Sequence, residues 1–195
     1  MNAALPADPA VGLGQIQAAD PAFDIELFKR HAAETFIDVK LAVEGRDLTP
    51  VLGLLSDRVF EELSEDVASL LARGAIQHYD GLVPTRIAVA AADRGRQGDA
   101  ITLQIQAAAL MYLGSADAGG YAPGRPGAFT EFWTFSRPSD ATSPVAPRLE
   151  CPNCGAPIDV DTGRICHYCK SLLPPPHAQT GWVVASIRPA QENLG

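Results

Sequence analysis

Lysine is almost missing from this chain of 195 residues; Lys29, Lys40 and Lys170 are the three present. Lys plus Arg total 15 against 23 Asp plus Glu, a formal net charge of -8. A net-acidic chain without a basic cluster repels phosphate backbones and anionic lipid, which excludes nucleic acid as an expected partner. No apolar run approaches the roughly 20 residues that span a bilayer. The first 28 residues contain no Arg, and Met1 to Gly14 lacks a basic start and an apolar middle. Neither a mitochondrial transit peptide nor a secretory signal is therefore expected, and a soluble, reducing, cytoplasmic setting follows. Hydrophobic residues at 47% and charged residues at 19% make the chain globular rather than disordered. Cysteine is scarce too, but all four copies fall between Cys151 and Cys169.

Met1–Ala19 is rich in Ala, Pro and Gly without periodicity, and reads as a flexible N-terminal arm. From Asp24 onward, Leu27, Phe28, His31, Ala32, Thr35, Phe36, Val39 and Val43 recur at helical spacing, and Gly45 stops the pattern. Asp47 caps a short helix with Pro50 in its first turn. Ser56 caps a third helix whose stripe is Val59, Leu63, Val67, Leu70 and Leu71, ended by Gly74. Alternation then replaces helical spacing. Ile87, Val89 and Ala91 form one strand, and Asp93–Asp99 is a polar turn. Ile101, Leu103, Ile105, Ala107, Ala109, Met111 and Leu113 share one face of a long strand. Phe129–Ser136 and Trp182–Arg188 are further strands. Helices followed by strands predict an α+β fold, three helices packed on a curved antiparallel sheet with a cone-like apolar interior.

Between Arg137 and Trp182 lie 44 residues, too many for a structureless hairpin loop. Half of the 16 prolines sit between Pro138 and Pro176. Cys151-Pro-Asn-Cys154 and Cys166-His-Tyr-Cys169 are two C-x-x-C hooks separated by 11 residues. Each hook turns two thiolates inward, and two hooks complete a tetrahedron that suits one structural Zn²⁺. Residues 148–173 are thus expected to be an inserted zinc ribbon with Pro-rich flanks, splitting a body of residues 20–137 plus 181–190. Four thiolates fill the sphere without His167 or His177. The closed shell leaves no position for a reacting water, and iron is chemically possible in the same site.

The body carries recognisable segments: Asp20-Pro-Ala-Phe-Asp24, Gly45-Arg-Asp-Leu48, Leu55-Ser-Asp57, Phe129-Thr-Glu-Phe-Trp-Thr-Phe-Ser-Arg137 and Gly181-Trp182. In this order they resemble the Tim-forty-four-like family, named for the scaffold subunit of the mitochondrial import motor. The resemblance implies a cone similar to the nuclear-transport-factor-two-like superfamily, and the ribbon looks like a feature of some bacterial members. It also implies scaffold or lipid-binding transport roles, so a non-enzymatic adaptor with protein partners is the leading expectation. The alternative is a carrier holding an apolar ligand or lipid in the cone. A third reading is an isomerase- or dehydratase-like enzyme, because the superfamily includes such enzymes. Its candidate bases are His31, the His78-Tyr79-Asp80 segment at an exposed helix–strand connection, and Glu131 beside Trp133. The acidic face Glu61, Glu62, Glu65 and Asp66 and the arginines of the 93–99 turn read as solvated surface.

Overall fold

A computed structural model describes residues 8–96, 98–115, 125–143, 150–158, 165–171, 173 and 181–190. The first helix, α1, spans Pro9–Ala19, with Asp8 capping it by accepting the Ala10 N–H at 2.9 Å. This corrects the expectation of an arm over residues 9–19; residues 1–7 lie outside the described residues. The helix shows no apolar stripe because it packs through what it lacks. Gly12 lies so close to the sheet that a Cβ there would sit 2.0 Å from the Ala92 carbonyl oxygen. Ile16, fully buried, supplies the anchoring side chain.

Helix α2, Ile25–Gly45, starts where expected, with Asp24 accepting the N–H groups of Glu26 and Leu27. Phe28, Ala32, Thr35, Phe36, Val39, Ala42 and Val43 form its buried face. It ends one residue later than Gly45 suggests. Arg46, not glycine, takes the left-handed conformation at φ 57°, and Asp47 N–H closes on the Ala42 carbonyl. A short 3-10 helix, Thr49–Leu54, follows, with Asp47 accepting the Thr49 N–H. Helix α3, Asp57–Ala72, is capped by Ser56 and followed by Gly74 at φ 62°. It buries Val59 and Val67, whereas Leu71 of its expected stripe is exposed.

The sheet is an antiparallel meander in the order β1 (Ala75–Gly95), β2 (Gly98–Ser115), β3 (Arg125–Arg137), β4 (Val183–Pro189). Strand β1 begins at Ala75, well before the alternation that starts near Arg86. Register shifts at Asp80/Val83, Pro84/Arg86 and Val89/Ala91 break the alternation and bend the strand. Such bending curves the sheet around α2. β4 pairs with β3 although the cysteine-bearing stretch separates them in the chain. Its outer side meets the start of α3, where Ser56 N–H donates to the Val184 carbonyl.

Inner faces meet in a filled centre. Ile101, Leu103, Ile105 and Ala107 of β2 are fully buried, as expected from their alternation, with Trp133 of β3 beside them. Phe28 packs edge-on to Trp182 and Phe135 with ring centroids 5.0 and 5.4 Å apart, and Phe36 meets Trp133 at 5.3 Å. Each such ring pair contributes about 0.5–1.5 kcal/mol beyond its buried area.

A buried ionic network closes one end of this core. Arg137, with its side chain 0% exposed, donates to Asp20 at 2.7 Å and Asp99 at 3.1 Å. Its guanidinium lies over the rings of Trp182 and Phe23, 4.7 and 5.6 Å from their centroids. Asp99 also takes Arg94, and Asp20 accepts the N–H and hydroxyl of Ser143. The 93–99 segment is therefore not merely a solvated turn. Its Arg94 and Asp99 belong to the network, because the register of β2 on β3 sets Asp99 opposite Arg137.

Candidate metal centre and an aromatic cleft

The two hooks repeat one backbone shape. In the first, Cys151 N–H donates to the Ala156 carbonyl and Gly155 N–H to the Cys151 carbonyl, at 2.7 and 2.8 Å. In the second, Cys166 N–H donates to Ser171 and Lys170 N–H to Cys166, at 2.9 and 3.0 Å. The residue after each second cysteine is left-handed, Gly155 at φ 71° and Lys170 at φ 60°. Glycine adopts that conformation freely, whereas lysine meets a steric cost there.

This repetition converges all four sulfurs to within 4.8 Å of one another. Cys151 and Cys169 Sγ are 3.7 Å apart, Cys154 and Cys166 Sγ 3.8 Å. Four sulfurs on a tetrahedron with metal–sulfur bonds of about 2.3 Å stand about 3.8 Å apart. The cluster therefore fits one metal ion in an all-thiolate shell. Ser171 Oγ lies 3.0 Å and Asn153 Nδ2 3.5 Å from Cys169 Sγ, placed to orient the donor sulfurs. Those two hydrogen bonds hold the Cys169 thiol low, at about 5. For Cys154 the Ala156 amide pulls downward, but burial and the three neighbouring sulfurs outweigh it and push the thiol to about 12. Cys151, Cys166 and Leu173 form a small buried cluster of their own, with Ile158 and Cys169 against it.

A cleft of about 530 Å³ opens beside the packed core. Its walls are Met111 of β2, Ala128–Glu131 of β3, Tyr79 of β1, Lys40 of α2, and Pro189 with Ala190. Lys40 Nζ sits 5.5–5.6 Å from the ring centroids of Phe36, Tyr79 and Phe129 and 2.7 Å from Glu131 Oε1. Glu131 Oε2 accepts the Trp133 indole N–H at 2.8 Å. Both partners of the pair are mostly shielded, their side chains 12% and 14% exposed. Burial, followed by the charges of Glu131, Glu44 and Asp66, pushes the Tyr79 hydroxyl up to about 12.

The candidate bases do not converge here. Glu131 lines the cleft but already holds a cation and an indole. His31 lies half-buried on α2 and is not a lining residue. His78, Tyr79 and Asp80 are part of β1 rather than a connection; His78 and Tyr79 are half-buried, and Asp80 is exposed. His78 Nδ1 is 2.8 Å from Glu44 Oε1, its ring stacks on Tyr112 at 4.7 Å, and Tyr112 donates to Asp80. Lys40 is the site residue that sequence reasoning missed. Its one signal is its place four residues after Phe36 on the helix.

The fold is an α+β cone with a four-sulfur cluster in the connection between β3 and β4. The sequence profile of the Tim44-like domain matches residues 10–145, and the chain belongs to that family. The family is of the scaffold and adaptor type and is generally non-catalytic. The match takes in most of α1, consistent with its packing onto the sheet. Comparison with curated proteins finds no significant match. Among the described residues, no helix is long and apolar enough to cross a membrane.

Proposed function

We propose that this protein is a non-enzymatic adaptor. Its cone domain docks a partner protein, and its cysteine module, folded around one structural Zn²⁺ held by Cys151, Cys154, Cys166 and Cys169, presents a second contact surface. The observation that carries this reading is the convergence of the four sulfurs in two matching hooks. A closed thiolate shell has no open position for substrate, so the metal serves shape rather than chemistry. Tyr168, 69% exposed, and Ile165 stand on the surface of the module as apolar contact groups. Four thiolates and one Zn²⁺ add -2 to a chain already at -8. That charge favours a protein surface over nucleic acid or anionic membrane. A thiolate centre also suits a reducing, cytoplasmic setting.

Affinity purification of the tagged full chain from its source, with metal analysis on the same sample, tests the proposal. The expected result is a co-eluting protein partner and one Zn per chain. Recovery of a partner-free, monodisperse chain at native expression levels refutes the adaptor reading, and a metal-free sample refutes the zinc centre.

A further inference from the structure

We propose that α1 occupies a docking notch on β1, and that a short partner helix with glycine four residues before isoleucine takes the notch in exchange for α1. This deepens the adaptor reading and rests on it, by naming the face of the cone that docks and the partner feature it reads. The present occupant defines the notch. α1 packs chiefly against β1. A Cβ at Gly12 would sit 2.0 Å from the Ala92 carbonyl oxygen and 3.0 Å from the Ala92 Cβ. No side chain fits there, so a helix docks only with glycine at that place. One turn further along the same face Ile16 is fully buried, and Leu13 packs against the core beside it. Beneath them Ala92 pairs with the fully buried Ile101, and a register shift between Val89 and Ala91 lies just before it. A small residue beside a bulge admits a helix backbone closer than a regular apolar strand face does.

The occupant is weakly held. Pro9–Ala19 carries no charged residue, so no ion pair ties the helix to the sheet. Gln17 donates to the Phe23 carbonyl, in the turn that follows the helix, rather than to β1. Ile16 is the one side chain of α1 that is fully buried. Gly12 and Gly14 lower the helicity of an 11-residue segment, and a helix this short is marginal in water unless docked. The chain after it is fixed instead. Asp20 is held by Arg137 and Ser143, and Phe23 packs on Phe28 and Trp182. The pivot therefore falls at Asp20, and α1 leaves as a unit while α2 stays. Exchange with a second copy offers the notch an identical helix without the advantage of the tether, which favours a different protein as the incoming partner.

Native-state hydrogen exchange on the full chain reads the opening. The Leu13–Ala19 amides are expected to exchange roughly a hundredfold faster than those of Ile101–Ala107, with little dependence on denaturant, as a local opening does. A capped peptide of residues 8–19, added in trans, reads the notch through the NMR shifts of the Ala92 and Ile101 amides. Gly12→Leu in the full chain expels its own α1, and this variant is expected to bind the peptide saturably. Wild type, whose tethered α1 competes at an effective concentration of about 1 mM, is expected to bind it at least about tenfold more weakly. Gly12→Leu or Ile16→Ala placed in the peptide is expected to cost about tenfold or more in affinity. Exchange of the α1 amides only with the whole fold overturns the proposal, and that measurement needs no variant. So does a folded Gly12→Leu chain that takes no peptide, or takes the Gly12→Leu peptide equally well. A wild-type dimer that Gly12→Leu abolishes overturns it too, by making a second copy the occupant. These outcomes are read apart from the adaptor test: a pull-down without a partner refutes the adaptor, whereas a failed notch leaves a recovered partner to dock on another face.

Discussion

Replacing Arg137 with Met removes a cation that two buried carboxylates share. Asp99 then keeps Arg94, and Asp20 keeps the N–H and hydroxyl of Ser143, so neither is left bare. Breaking a buried pair from one side costs about 3–5 kcal/mol, and these remaining partners place the loss near 3 kcal/mol. The guanidinium also leaves the faces of Trp182 and Phe23, which methionine sulfur replaces in part. For a domain of this size the loss lowers Tm by roughly 6–12 °C. Urea unfolding followed by tryptophan fluorescence measures it, because Trp133 and Trp182 are both buried. The pH dependence has a definite sign. Burial raises the Asp20 carboxyl, but hydrogen bonds from Ser143 and Arg137 outweigh it and hold the group below 3.8. A depressed carboxyl stabilises above its unfolded value of about 3.9 and loses that contribution as pH falls through its folded value. The gap between wild type and Arg137→Met is therefore full at pH 7 and narrows below about pH 4. Adding Asp20→Asn to the variant removes a buried charge that has lost its cation and recovers part of the loss. A destabilisation under about 1 kcal/mol at pH 7, or a double variant no more stable than the single one, refutes this account of the network.

Cys151→Ser and Cys169→Ser are each expected to lose the bound metal, read by native mass spectrometry; unchanged metal content in both counts against the four-sulfur site. Lys170→Gly relieves the left-handed strain at φ 60° and is expected to stabilise the loaded module by about 1 kcal/mol, seen as slower metal loss to a chelator. Gly12→Ala drives a Cβ into the Ala92 carbonyl, and the resulting shift of α1 is expected to cost about 1–3 kcal/mol in a urea melt. An unaltered midpoint there would show that α1 does not pack as described.

The sequence made legible whatever depends on spacing. The period of α2, its Asp24 cap and the alternation of Ile101–Ala109 each follow from a repeat that burial imposes, and all appear in the fold. The two C-x-x-C hooks announced a convergence that the sulfurs show. What stayed hidden makes contact by other means. Helix α1 packs through a missing side chain, so no apolar stripe marks it. The first half of β1 is bent by bulges that scramble its alternation. Asp99 meets Arg137 through the β2–β3 pairing and brings Arg94 with it, Asp20 arrives from the α1–α2 junction, and the 93–99 turn alone suggested surface. Lys40 looks like a solvated helix residue until the curved sheet brings Phe129 and Glu131 over it.

The cysteine module interrupts the connection between β3 and β4, and that position bears on how strongly metal and sheet are coupled. Without metal, β4 must find β3 across the whole connection after Arg137. Clipping Cys151 to Cys169 removes their span from the free loop, but closure entropy grows only logarithmically with length. The gain to the sheet is about 0.5 kcal/mol. Metal loss can therefore unfold the module while barely loosening the cone. On the adaptor proposal, a partner that needs both surfaces would sense metal loading of the module without the sheet having to unfold.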